Sequence, residues 1–440
     1  MSDIALGLWS FPVLLALIFL RIPIGFAMMA VGAAGTYLVS GTTMMTLASL
    51  KTLTFGTFSN YALSIIPLFL LMGQLAMLSG MSRALFKAAE AWLGHLRGGL
   101  AMSAIGASAG FGAICGSSLA TAATMGQVAL PELKAAGYSG RMATGTLAAG
   151  GTLGILIPPS VALVIYAILA EQNIAKLFMA ALIPGILAAI GYMITISVVM
   201  RMRNEPGRLL DKLPVAERFR ALIPVWPVIT IFAVVVGGIY AGIFTPTEAA
   251  AVGAAGTAIA AVATRQLTLR RMVEACLTTA RGTGMIFIII LGAGMFNSFL
   301  ALTLLPQTAA LWVADQGFSP WTVMIAVLVI YLVLGCVMDS LSMILLTVPI
   351  FFPLMVTLDF GMTADDFGLW FGILVLTIVE VGLITPPVGM NLFVINSMDR
   401  QTPILQTFGG AFPFVVADLI RIAFLTAAAP VTLALVWLFY

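Results

Sequence analysis

Charge is what this 440-residue chain has least of: only 8% of its residues are charged, against 61% apolar, and its mean hydropathy is +1.13. A soluble globular chain carries roughly 25% charged residues, so a water-soluble fold is excluded and lipid is the main solvent. Histidine is nearly absent, with His95 alone, and no second imidazole exists to complete a catalytic or metal-binding pair. There is no H-E-x-x-H and no G-x-S-x-G, and the glycine-rich AGFGAICG at 109–116 lacks the lysine of a phosphate-binding loop. An enzyme is therefore not expected. Cys115, Cys276 and Cys336 show no metal-ligand or CxxC spacing, and an odd count argues against a disulfide framework; they are expected as small buried residues. The net charge of +3 gives no sign of nucleic acid as a partner. The N-terminus lacks a basic region and a cleavage site, and reads as a retained first span.

What the chain has in quantity is apolar stretches. Candidate crossings run at 4–20, 22–40, 61–80, 177–200, 222–243, 246–264, 283–305 and 411–438, with two longer, internally interrupted ones at 141–170 and 367–397. The basic residues orient them, because cytoplasmic loops collect Lys and Arg. Arg201, Arg203, Arg208, Lys212, Arg218 and Arg220 share one loop, and Arg265, Arg270, Arg271 and Arg281 another two spans on. The same register puts Arg21, Arg83, Lys87, Arg97, Lys134, Arg141 and Arg400 inside, for 17 basic residues, and only Lys51 and Lys176 outside. Ten crossings then leave both termini outside.

Two apolar segments do not fit as simple crossings. Residues 98–130 are flanked by basic residues on both sides, so the segment leaves and returns on one face. Each leg of about 15 residues spans roughly 22 Å of helix, short of the roughly 30 Å hydrocarbon core. A re-entrant helical hairpin with its tip at GAICGSS is expected, and a second at 321–357 with the tip LGCVMDSLS, entering from the other side. Each hairpin precedes a span broken at a double proline, GGTLGILIPPSVAL at 150–163 and EVGLITPPVGMNL at 380–392. The two double prolines lie 228 residues apart and the tip serines, Ser118 and Ser340, 222 apart. The chain thus reads as two repeats of inverted topology, an architecture of secondary transporters with the site at the repeat interface.

The breaks carry chemistry. Proline has no N–H to give the carbonyl four residues back, so Pro158 and Pro159 free the carbonyls of Gly154 and Ile155, and Pro386 and Pro387 those of Gly382 and Leu383. With the hydroxyls of Ser117, Ser118, Ser340 and Thr385 nearby, these are hard, weakly charged oxygen ligands suited to Na⁺, while half-helix N-termini favour an anion. Asp339 at a hairpin tip is a functional candidate, because burying a carboxylate in a bilayer costs about 2.5–3.5 kcal/mol; capping of the next half-helix is its structural alternative. Glu380, beside the second break, is a weaker candidate or a lock between helices. Arg21 reads as a snorkelling anchor, His95 as solvated on the interfacial helix 81–97, and Asp418 with Arg421 as an ion pair in the last span.

Several segments resemble the DctM-type large membrane subunit of tripartite ATP-independent periplasmic (TRAP) transporters: LRIPIGFAM at 20–28, IPLFLLMGQL at 66–75, the GAICGSSLATAATMG tip, GTLGILIPPS, GGIYAGIFTPTEAAAVGA at 237–254 and EVGLITPPVGMNLFV at 380–394. The resemblance implies an all-α polytopic inner-membrane protein in a lipid bilayer. It implies a separate four-helix small membrane subunit (DctQ type), a periplasmic substrate-binding protein (DctP type), and import of a small organic anion driven by Na⁺ through an elevator motion. Scaffold helices are expected at 1–80 and 177–305, with a cytoplasmic loop at 201–221, and interfacial arms at 81–97 and 306–320. Transport elements are expected at 98–176 and 321–400, and a final span at 401–440. Sodium is expected at Gly112, Ser117, Gly154 and Ile157 and at Gly335, Asp339, Gly382 and Thr385, and substrate at Ser117, Ser118, Ser160, Asp339 and Ser340. For the TPTE stretch, Thr245–Glu248, capping of the following helix by Thr247 is expected. A free-standing Na⁺- or H⁺-coupled dicarboxylate symporter and the membrane half of an ATP-driven permease are the alternatives.

Overall fold

The computed structural model describes residues 2–203 and 205–440, and these are helical nearly throughout. The helices are α1 (Asp3–Phe19), α2 (Ile24–Ser40), α3 (Thr43–Phe58), α4 (Ile65–Leu78), α5 (Met81–Leu93), α6 (Gly99–Cys115), α7 (Ser118–Ala135), α8 (Gly140–Leu156), α9 (Val161–Leu169), α10 (Ile174–Met202) and α11 (Val215–Arg220). They continue with α12 (Trp226–Tyr240), α13 (Pro246–Ala263), α14 (Leu269–Leu302), α15 (Leu305–Asp315), α16 (Pro320–Gly335), α17 (Ser340–Met355), α18 (Ala364–Leu383), α19 (Met390–Met398), α20 (Ile404–Ala427) and α21 (Ala429–Phe439).

Among the described residues seven helices are long and apolar enough to cross a membrane, and eight if the bent pair α8–α9 counts as one span. Ten crossings were expected, and the two missing are α1 and α2. Each has 17 residues, about 25 Å of helix, because the Arg21–Pro23 corner ends one and starts the other. One pair of helices bends sharply at a short break: α8 and α9, by 46°. The second double proline instead lies in a longer non-helical stretch, residues 384–389, closed by Gly389 at φ +61°. The expectation of two breaks of one kind is corrected to that extent. Helices α6 and α7 are joined by Gly116 and Ser117 alone, and α16 and α17 by residues 336–339; each pair packs side by side.

Two further boundaries differ from expectation. The last apolar stretch is two helices, α20 and α21, because Pro430 cannot donate to the carbonyl of Thr426. Helix α14 runs for 34 residues, about 51 Å, so it exceeds the roughly 30 Å core; its first turns, with Arg270 and Arg271, are exposed and so lack an apolar signature. Cys276 sits there and is exposed, whereas Cys115 and Cys336 are buried as expected. His95 is half-buried rather than solvated, with Nδ1 lacking a partner.

The two helices that end at double prolines are the best buried. Every residue of α18 from Phe367 to Leu383 is buried, as is every residue of α8 from Met142 to Leu156. A helix that is apolar all round belongs in the interior, and the other helices wrap these two. The halves interdigitate: α9 packs on α17 and α18, while α19 packs on α7 and α8. Tyr166 of α9 donates to the carbonyl of Gly368 at 2.7 Å, and Arg141 of α8 to that of Gly409 at 2.9 Å.

A loop-level tie joins the same halves. Lys134 at the end of α7 pairs with Asp399 just after α19, and Thr402 donates to Asp399 at 2.7 Å. Burial alone would push the Asp399 carboxyl up; the Lys134 ammonium and the Thr402 hydroxyl outweigh it and hold it below the ordinary aspartate range. The unfolded chain therefore binds the proton at a higher pH than the folded one. The tie contributes stability above the ordinary value of about 3.9, and that contribution is lost as pH falls through the lowered folded value. Asp399→Asn is expected to flatten this acid limb of a melting-temperature profile in detergent; an unchanged limb would remove Asp399 from the account.

Candidate functional site

The site grows from the ends of the two buried helices. Where α8 passes α6 the backbones touch: a Cβ on Gly112 would stand 2.6 Å from the Cα of Gly154. A Cβ on Gly154 would meet the carbonyl oxygen of Ser117 at 2.7 Å and Thr121 Oγ1 at 2.5 Å. In the second half a Cβ on Gly382 would meet the carbonyl carbon of Gly335 at 2.4 Å. The two contacts are of the same kind, since Gly112 lies in the last turn of α6 and Gly335 is the last residue of α16. Only glycine permits such approach, so each double-proline helix is held against the tip of a short helix pair by bare backbone.

Three of the expected site residues cap helix N-termini, although only Asp339 was expected in that role. Ser117 accepts from the Ala120 N–H at 3.5 Å, Ser160 from Leu163 at 3.4 Å, and Asp339 from Ser342 at 3.0 Å. Asp339 is half-buried, so its capping role is realised with part of its carboxylate still accessible. Ser160 and Ser340 are buried. Gly116 at φ +63° turns the first tip against the Pro159 carbonyl, and the Gly389 N–H donates to the Cys336 carbonyl at 3.2 Å. Tip and break are thus in contact in both halves.

The carbonyl ligands are realised unequally. Pro158 and Pro159 leave Gly154 and Ile155 without their helical donors, and Ile157, just before the double proline, is buried. Thr121 Oγ1, beside Gly154, is buried with no partner, and an orphaned hydroxyl beside undonated carbonyls is an oxygen set that fits a small cation. In the second half the Gly382 carbonyl accepts the Thr385 N–H at 3.1 Å, and the Thr385 hydroxyl donates to the Val381 carbonyl at 2.6 Å. The expected release of Gly382 is therefore corrected: α18 ends in a tightened turn that satisfies it, leaving one lone pair for a ligand. The prolines differ too, Pro158 and Pro159 being buried and Pro386 and Pro387 exposed.

Three polar connections go beyond the expected pairings. Ser118 Oγ lies 2.7 and 2.6 Å from the two carboxyl oxygens of Glu380, which is fully buried. This joins the first tip to the helix before the second break, and it realises the lock reading of Glu380. Asn391 of α19, also fully buried, donates to the Ala148 carbonyl at 3.3 Å; its only signal was an amide in a short, largely apolar helix. Deeper, Thr152 lies 2.9 Å from the Tyr192 hydroxyl, which donates to Asp418 at 2.6 Å, and Asp418 pairs with Arg421 at 2.9 Å. Thr152 and Glu380 hold matching places before the two double prolines. The TPTE stretch caps α13, through Thr245 rather than Thr247: Thr245 Oγ1 accepts from the Glu248 N–H and Glu248 accepts from the Thr245 N–H at 2.8 Å.

The chain is similar to known proteins over nearly its full length. Residues 11–431 match the family described as tripartite ATP-independent periplasmic transporter, DctM component. A C4-dicarboxylate TRAP transporter large permease protein DctM of Pseudomonas aeruginosa is 36% identical, covering 87% of each chain. A sialic acid TRAP transporter large permease protein SiaM of Vibrio cholerae is 30% identical over 97% of each. Among solved structures, the Alcanivorax borkumensis YdaH transporter has a TM-score of 0.59 at 14% identity, covering 87% of this chain and 88% of its own. Neisseria gonorrhoeae MtrF has 0.61 at 18%, covering 87% and 84%; at these identities the likeness is of fold alone. With its buried double-proline helices and lipid-facing exterior, this chain is a multi-pass membrane transporter and no enzyme, and it belongs to the DctM family of TRAP transporters.

Proposed function

We propose that this chain is the large permease subunit of a sodium-coupled importer of a small organic anion, in the class of dicarboxylates, keto acids, sugar acids and sialic acid. A periplasmic binding protein delivers the anion, and a four-helix small subunit completes the inner-membrane part. The carrying observation is the pair of glycine-on-glycine contacts, Gly112 with Gly154 and Gly335 with Gly382, which sets each tip against a double-proline break. In this reading α6–α7 and α16–α17 are re-entrant hairpins of two inverted repeats, and both termini are periplasmic. Sodium takes one site at Gly112, Ser117, Gly154 and Ile157, to which Thr121 adds a hydroxyl, and another at Gly335, Asp339, Gly382 and Thr385. The anion sits at Ser117, Ser118, Ser160, Asp339 and Ser340, where three capped helix N-termini supply partial positive charge. The hairpins and breaks move together past the scaffold as an elevator. The buried first break and exposed second break are support for a molecule whose halves are in different states at one moment.

The test is uptake into proteoliposomes holding this chain and its two partners, with and without an inward sodium gradient. Uptake that ignores sodium and follows a proton gradient would overturn the coupling. Uptake without the binding protein would favour a free-standing symporter. Asp339→Asn and Thr385→Ala are expected to cut uptake or its sodium dependence while leaving the melting temperature near that of the parent. Normal sodium-driven uptake by both would remove the second sodium site.

A further inference from the structure

We infer that a glycerophospholipid occupies the groove between α1, α14, α15 and α17, with an acyl chain in the apolar trough and its ester carbonyls on Asn297 and Gln307. The groove has a volume of about 430 Å³ and lies at the end of α14 opposite Arg270, Arg271 and Arg281. Phe11, Leu300, Pro349 and Pro353 are among its walls, and Asn297 and Gln307 are the two polar residues in a lining that is otherwise apolar. Neither amide has a hydrogen-bond partner among the described residues. Asn297 is half-buried and Gln307 exposed; an amide taken from water without a partner is costly, and it offers two donors. Phospholipid ester carbonyls are acceptors that bring no competing donor of their own.

The depth is right for that match. Trp9 on α1, beside Phe299 near the end of α14, and Trp312 on α15 are both exposed, and tryptophan is enriched at the membrane–water interface. The amides therefore lie where a lipid changes from headgroup to chain. The groove opens outward past Leu8 and Ala301, both exposed, so a lipid enters sideways from the bilayer. Its inner wall is α17, which carries Asp339 as its N-cap. A seated chain braces that helix against α1 and α14.

The site is tested on the full chain in mild detergent by native mass spectrometry, titrating palmitoyl-oleoyl phosphatidylethanolamine and phosphatidylglycerol. Two variants are compared with the parent: Ala301→Trp, which fills the trough, and Asn297→Leu, which removes one amide while leaving the trough open. The parent is expected to hold one phospholipid more than Ala301→Trp. Asn297→Leu is expected to bind that lipid roughly three- to tenfold more weakly, the size of one lost hydrogen bond. Binding of both headgroups alike supports recognition through the esters. Equal lipid occupancy and affinity in all three proteins would overturn the inference. So would a dimer mass that Ala301→Trp abolishes with no change in bound lipid, which would give the groove to a second copy. If Ala301→Trp does not fold, Asn297→Leu decides alone.

Discussion

Gly382→Ala is expected to lower uptake about tenfold or more, although it adds one methyl group. The new Cβ would stand 2.4 Å from the carbonyl carbon and 2.5 Å from the Cα of Gly335, both backbone atoms that no rotamer change can move aside. Overpacking of this kind costs about 1–3 kcal/mol, and here it is spent on separating α18 from α16 at the second break. Gly112→Ala is expected to do the same in the first half, against the Cα of Gly154 at 2.6 Å. Gly191→Ala in α10 is the control, since a Cβ there has nothing within 4 Å. Sodium-driven uptake by Gly382→Ala and Gly112→Ala equal to that of Gly191→Ala would show that the close backbone contact has no part in transport.

The second large effect concerns Ser118 and Glu380. Removing the hydroxyl in Ser118→Ala leaves a fully buried carboxyl group without its hydrogen-bond partner, a loss of about 1–3 kcal/mol. Replacing both partners, as in Ser118→Ala with Glu380→Met, removes the orphan along with the bond. The double variant is therefore expected to melt above Ser118→Ala alone, a non-additivity of the sort that contacting residues show. It is also expected to transport poorly, because the tie between the first tip and the second break is gone. Melting temperatures that simply add, measured in one detergent for both single variants and the double, would show that the two side chains act independently.

What could be read from the sequence is what is local. A double proline removes donors wherever it stands, so the bend at Pro158–Pro159 was legible, while the second double proline gives a longer non-helical stretch; the short helices within 98–130 and 321–357 follow from length. The aspartate cap at 339 follows from residue type next to a helix start, and the same signal at Ser117 and Ser160 went unread because both were taken as ligands. The Ser118–Glu380 bond spans 262 residues and needs the packed halves to exist. Likewise, the Gly382 carbonyl is recaptured by a turn whose geometry no spacing announces. The cap at Thr245 rather than Thr247 was missed because Pro246 takes the first helical position, where its missing N–H costs nothing. Helix α3 was missed for another reason: its threonines and Lys51 dilute the apolar signal, and the structure leaves all of it at least partly exposed.

The three cysteines share no spacing motif and are sorted by place. Cys115 ends α6 and Cys336 follows α16, each buried at the tip of a short helix pair, while Cys276 stands exposed on the long overhang of α14. A water-soluble maleimide added to the native chain thus has one exposed thiol to find, in the exposed first turns of α14. The protein carries its own single attachment point for a fluorophore or spin label, and the side of a vesicle from which it reacts gives the orientation of every helix that follows.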